Sequence, residues 1–146
     1  MRTVIFYFLI VGLFFAINAC CTKKYCLGFD DLDKVQLLNF TANDVDSIAL
    51  ETFASGSNFT DRIDSLFTNA HGRAKGDPDL IIFMPENISK SREYKITLLS
   101  TGQVYKLSNF KTRKEECNCP SDQYNVLDSY VLNGQKLNSS SLTISK

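Results

Sequence analysis

The chain has 146 residues, with 16 basic and 16 acidic side chains and a formal net charge of zero. That balance leaves no electrostatic case for nucleic acid, which asks for a basic stripe or a high pI. One histidine and no tryptophan leave little material for acid–base catalysis or for the flat indole platforms on which sugars often stack.

The N-terminus comes first in the chain. Arg2 is the only charge before Lys23, and Val4 to Ile17 (VIFYFLIVGLFFAI) carries none. A spanning helix needs about 20 apolar residues, so this shorter run behind a basic start reads as a secretory h-region. Ile17-Asn18-Ala19-Cys20 follows and resembles the bacterial lipobox: an aliphatic residue, a tolerant position, a small residue, then cysteine. The resemblance implies cleavage before Cys20 and a diacylglycerol on its thiol. The expected organisation is a signal peptide over 1–19, a lipidated tether over 20–28 and one domain over 29–146. Two or three acyl chains would hold such a protein on its membrane.

Removing 19 of the 146 residues leaves 127, which suffices for one domain with a real core. Besides Cys20 that stretch holds Cys21, Cys26, Cys117 and Cys119. In an exported chain an even set of thiols reads first as disulfides. A bridge within Cys117-Asn118-Cys119 would be strained, which favours pairing the N-terminal two cysteines with this pair. Closing a loop of about 90 residues would stabilise by roughly 4–5 kcal/mol on the chain-entropy account. Two alternatives stay open. One is a Cys₄ zinc site, although C-x-C and C-x₄-C are looser than paired knuckles; the other is a set of partly free thiols. No metal or cofactor is expected.

Phe29-Asp30-Asp31-Leu32-Asp33 lacks the glycine-centred spacing of a calcium loop and reads as a solvated edge or turn. Short strands follow: Val35 to Thr41, then Ile48 to Phe53 with Asn43-Asp44 between them. Ala54 to Asp79 breaks the pattern. It is rich in Gly, Ser, Asn and Asp, with one weak amphipathic piece at Ile63, Leu66 and Phe67. It reads either as a long binding loop or as a loop hiding a short strand or helical turn. Leu80 to Met84 is an apolar run suited to a central strand. Tyr94 to Leu99 and Val104 to Phe110 form a hairpin around Ser100-Thr101-Gly102-Gln103. Tyr124 to Leu132, a strong Asn133-Gly134 turn and Leu142 to Ile144 complete the series. About seven strands without helix signals predict an all-β fold. The expectation is a single immunoglobulin-like or transthyretin-like β-sandwich following the N-terminal signal helix.

Lipobox, cysteine-rich tether, seven-strand domain and late Asn-Gly hairpin together resemble the small lipoproteins of Bacteroidota. The resemblance implies a bacterial cell envelope location, with the membrane as partner through the lipid and an envelope protein as a further partner. Surface-exported members usually carry acidic residues after the lipidated cysteine. Here Cys21-Thr22-Lys23-Lys24 follows, which favours a periplasm-facing outer-membrane position over surface display. Asp46-Ser47-Ile48 and Asp64-Ser65-Leu66 resemble that phylum's Asp-Ser/Thr-aliphatic O-glycosylation motif, making Ser47 and Ser65 candidates.

Catalytic patterns are missing from the sequence. There is no GxSxG, HExxH or phosphate-binding glycine loop. His71 sits in Asn69-Ala70-His71-Gly72-Arg73 with no nucleophile or orienting group nearby in sequence. Tyr94, Tyr105, Tyr124 and Tyr130 fall in strand-like segments, where packing outranks sugar stacking. The expected function is therefore non-catalytic: a membrane-anchored structural or interaction domain. The alternative is a ligand-binding module, for glycan or peptide, that uses the 54–79 segment.

Overall fold

Residues 26–72, 80–117 and 123–146 are described by the structure, a computed structural model. The expected signal peptide, the lipidation residue Cys20, and Cys21 and Cys119 lie outside these residues.

Period-two alternation of apolar side chains sets most of the described chain into strands. In β1 (Lys34–Leu38), Val35 and Leu37 point inward and are fully buried. In β2 (Ile48–Ala54), Ile48 and Leu50 do the same. The described chain continues through β3 (Arg62–Thr68), β4 (His71–Gly72), β5 (Leu80–Phe83), β6 (Arg92–Leu98) and β7 (Gln103–Glu116). It ends with β8 (Gln123–Leu132), β9 (Gln135–Asn138) and β10 (Thr143–Ser145). Two short 3₁₀ turns, Phe29–Asp31 and Ala42–Asp44, are the only helical pieces among the described residues. The first is the acidic stretch read as a turn: Asp31 accepts from the Gly28 amide at 2.9 Å, and Phe29 turns inward.

The strands form two sheets, in the orders β10-β1-β5-β4 and β3-β2-β6-β7-β8-β9. The fold is an all-β sandwich, as the spacing of strand and turn signals predicts. It has ten strands in the described residues where about seven were expected. One core joins the two sheets. Val35, Leu37, Ile82 and Ile144 enter it from the first, and Ile48, Leu50, Ile96, Leu98, Leu107 and Tyr130 from the second. Each such side chain contributes about 1.5–3 kcal/mol when fully buried. β1 lies between β5, antiparallel, and β10, parallel, with Leu37 opposite Ile144.

Among the described residues of segment 54–79 the hidden-strand reading holds, because Arg62–Thr68 is a full strand. β3 pairs antiparallel with β2 along its whole length, Leu50 opposite Leu66. The turn between them, 55–61, is tied down by Glu93. This carboxylate is 5% exposed and accepts from the Gly56 amide at 3.0 Å, the Phe59 amide at 2.9 Å and the Ser57 hydroxyl at 3.4 Å. Those bonds hold Asn58 and Phe59 at φ +55° and +61°, a region that non-glycine residues seldom occupy.

β5 is internal to its sheet, as its apolar run predicts. Ile81 and Ile82 are both buried, whereas Phe83 is half exposed beside His71. The Asn133-Gly134 turn also forms as read, with φ +51° and +85°, the pair that a two-residue type I′ hairpin requires. Asn133 then locks onto β7: its amide donates to the Lys106 carbonyl at 2.9 Å, and its side-chain oxygen accepts the Lys106 amide at 2.8 Å.

Of the described residues, 27–72, 80–114 and 125–146 belong to one compact unit, and 26, 115–117 and 123–124 to another. The described part of the second contains a Cys26–Cys117 disulfide, with Cα atoms 5.9 Å apart, within the usual range. It links residues 91 apart in the chain, and Cys117 directly follows β7.

Candidate functional site

The alternation in β7 slips by one residue. Tyr105 and Leu107 face the core; then Ser108 and Phe110 are buried, and Asn109 between them is exposed. Asn109 sits at φ +52°, which is how the strand makes the shift. Such slips re-aim side chains and are over-represented beside functional sites. Here the slip seats Phe110 in a ring cluster, stacked on Tyr130 at 6.4 Å and edge-on to Tyr94 at 5.9 Å. It also leaves Asn109 and Lys111 at the surface.

A cleft of about 430 Å³ opens at this slip. Asn109, Phe110 and Lys111 line it from β7, Ser129 and Val131 from β8, Lys136 from β9, Ser55 from the turn after β2, and Lys90 from the turn before β6. The hairpin register sets Lys136 directly opposite Val131. A backbone bond from the Ser55 amide to the Ser91 carbonyl, 3.1 Å, holds the Ser55 and Lys90 segments together. Lys90 also borders a second hollow, of about 460 Å³, with Phe29, Asp30 and Asn87; its ammonium lies 5.8 Å from the Phe29 ring centre.

Two properties set the 430 Å³ cleft apart. It is cationic: three lysines line it with no carboxylate, and among the described residues none of the three forms an ion pair. It also holds an unsatisfied polar group. Ser129 is 1% exposed and its Oγ has no hydrogen-bond partner among the described residues. A buried hydroxyl without a partner costs roughly 1–3 kcal/mol, so its position needs a reason.

The residues singled out from sequence fall elsewhere. His71 is exposed on β4, its ring lies tilted beside Phe83 at 6.3 Å, and its side chain has no hydrogen-bond or ion-pair partner among the described residues. Ser65 is exposed on edge strand β3, and Ser47 is half-buried just before β2, its carbonyl accepting from Leu99. Of segment 54–79, only Ser55 lines the cleft among the described residues. Tyr94, Tyr105 and Tyr130 are packed in the core. Burial pushes the Tyr94 and Tyr105 hydroxyls above the ordinary phenol value. No cluster of three or more His, Cys, Asp or Glu suited to a metal occurs among the described residues.

The outer face of the larger sheet carries a different feature. Phe67, Ala49, Thr97 and Val104 stand in one cross-strand row, with Phe67 78% and Val104 44% exposed. The adjoining row is polar: Glu51 is clamped by Lys95 and by Arg62 at 3.2 Å. These cations, Lys95 first, hold the Glu51 carboxyl below its usual range.

No protein-family model matches the chain, and no curated protein or solved structure is significantly similar to it. The class of protein that the fold defines is a two-sheet β-sandwich with a cationic cleft beside a strand slip.

Proposed function

We propose that this is an exported lipoprotein, anchored by acyl chains on Cys20, whose β-sandwich acts by contact and not by turnover. The observation that carries the reading is the Cys26–Cys117 disulfide. Disulfides persist in oxidising compartments such as the periplasm and are rare where glutathione and thioredoxin keep thiols reduced. A basic start, an apolar h-region and Ile17-Asn18-Ala19-Cys20 precede it in the sequence. With Cys20 lipidated, Cys26 lies six positions after the anchor, so that leash reaches at most about 20 Å.

The contact role draws on what surrounds the titratable groups. Glu93 is committed to holding a turn, Glu51 to two cations, and Asp44 to Lys146. A general base must instead lie within reach of the proton it removes. The lysines after Cys20 favour a periplasm-facing outer-membrane location.

Intact mass of the protein extracted from its native membrane tests the reading. The expected species begins at Cys20, carries two or three acyl chains and falls short of the reduced mass by two hydrogens per disulfide. An unacylated species, or one retaining residues 1–19, would count against it.

A further inference from the structure

We propose that the cleft between Lys90, Lys111 and Lys136 binds a compact hydroxylated anion, a monosaccharide bearing a carboxylate or a phosphate. The inference concerns the folded domain and does not depend on lipid anchoring.

Charge gives the first part of the argument. Three lysines line one concavity with no carboxylate among the lining residues, and the Lys90 ammonium also lies 5.8 Å from the Phe29 ring centre. Like charges gathered in a cleft repel one another and focus a field that draws an anion. Among the described residues five ion pairs form elsewhere on this domain, Lys95 and Arg62 with Glu51, Arg92 with Glu86, Arg113 with Asp128 and Lys146 with Asp44, and none of them neutralises a lysine of the cleft.

The buried hydroxyl gives the second. Ser129 lines the cleft, and its Oγ has no partner among the described residues. With Ser129 1% exposed, contact needs a small shift of the cleft wall; a ligand hydroxyl or oxyanion that then reached the Oγ would remove an existing penalty, so binding would gain more there than at a hydroxyl already satisfied by water. The slip at Asn109 points the same way: a non-glycine residue is held at positive φ beside the cavity it shapes.

Size and lining give the third. A water molecule takes about 30 Å³ of liquid, so a cleft of about 430 Å³ is too large for a lone inorganic ion and falls in the range of small-ligand sites. Phe110 is 5% exposed and offers no ring face for stacking. A neutral sugar would therefore lack its usual platform, and recognition rests on charge and hydroxyl contacts.

The test is a titration of the isotope-labelled protein, followed by backbone amide shifts. The probes are glucuronic acid, glucose 6-phosphate, glucose and inorganic phosphate. Saturable shifts are expected at Ser55, Lys90, Asn109 to Lys111, Ser129 to Val131 and Lys136 with at least one of the two acidic sugars. Glucose and phosphate should each bind at least tenfold more weakly. The double variant Lys111→Gln, Lys136→Gln should lower affinity tenfold or more. Ser129→Ala should weaken binding severalfold while the thermal midpoint holds or rises, which a purely structural serine would not do. The proposal is overturned if none of the four probes saturates at these residues. It is equally overturned if glucose matches the acidic sugars, if phosphate alone binds as tightly, or if Ser129→Ala leaves affinity unchanged.

Discussion

The Tyr130 hydroxyl makes two hydrogen bonds to one residue, Thr143: it donates to the carbonyl at 3.0 Å and accepts from the amide at 3.1 Å. Tyr130 lies on β8 of the larger sheet and Thr143 on β10 of the smaller, so a single side chain ties the two sheets through backbone groups. The Tyr130→Phe variant keeps the ring packing but leaves both Thr143 groups short of a partner. A loss of about 1–3 kcal/mol is expected in urea unfolding. Hydrogen exchange at Thr143 should accelerate more than at Leu50, whose strand does not touch the staple.

Glu93 organises a turn in the same economical way. Removing its carboxylate strips acceptors from two backbone amides and from Ser57. Hydrogen bonds to a charged group contribute roughly 1.5–3 kcal/mol each, with imperfect additivity. Glu93→Ala is expected to cost at least about 2 kcal/mol, and Glu93→Gln less, because one amide oxygen remains. Thermal melts of both variants check the order; equal losses would show that the remaining amide oxygen does not substitute for the carboxylate.

Asp44 links stability to pH. The Thr41 backbone amide at 2.8 Å is the strongest influence, followed by Lys146 at 2.9 Å and the Thr41 hydroxyl at 2.8 Å; together they hold the carboxyl at about 2. A folded value below the unfolded one means the contribution is complete above about pH 4. It fades as pH falls through the folded value. Carboxyl carbon chemical shifts should place the Asp44 midpoint near 2, and Lys146→Ala should move it upward.

Loss of the disulfide acts mainly on the unfolded chain. With its ends 91 positions apart in the chain, Cys26–Cys117 should stabilise by about 4–5 kcal/mol on the loop-entropy account. Cys26→Ser and Cys117→Ser should each lose most of that, and the double variant little more than either. Denaturant midpoints measured without reductant provide the comparison. A double variant that loses twice as much would argue that the two cysteines act separately.

Phe67 supplies the contrast. It is 78% exposed on edge strand β3, so Phe67→Thr should shift stability by less than about 0.5 kcal/mol. A large loss in a chemical melt would mean that Phe67 is covered in solution.

Local alternation made seven of the ten strands legible. Val35 with Leu37, Tyr94 with Ile96 and Leu98, and the Asn133-Gly134 turn each announce their element without outside help. β3 is announced only as one alternative for the 54–79 segment, through the weak apolar piece at Ile63, Leu66 and Phe67. It is an edge strand whose two faces are mostly wet, so Arg62, Asp64 and Ser65 interrupt the apolar period that reveals a buried strand. The cleft was illegible for another reason. Lys90, Asn109, Ser129 and Lys136 are far apart in sequence and meet only through strand order and register. One trace existed. The inward series Tyr105, Leu107 is followed by Phe110 and not by residue 109, a step of three in a strand of period two. That spacing marks the slip, and Asn109 is a residue type that tolerates the positive φ it needs.

The parallel pairing of β1 with β10 also sets a schedule. Leu37 and Ile144 are neighbours in the sheet although 107 residues separate them, so β1 cannot gain this partner until residue 144 has been made. At synthesis rates of about 5–20 residues per second, that wait lasts on the order of 5–20 s. For all that time β1 keeps one edge open, and the smaller sheet closes only when β10 has been made.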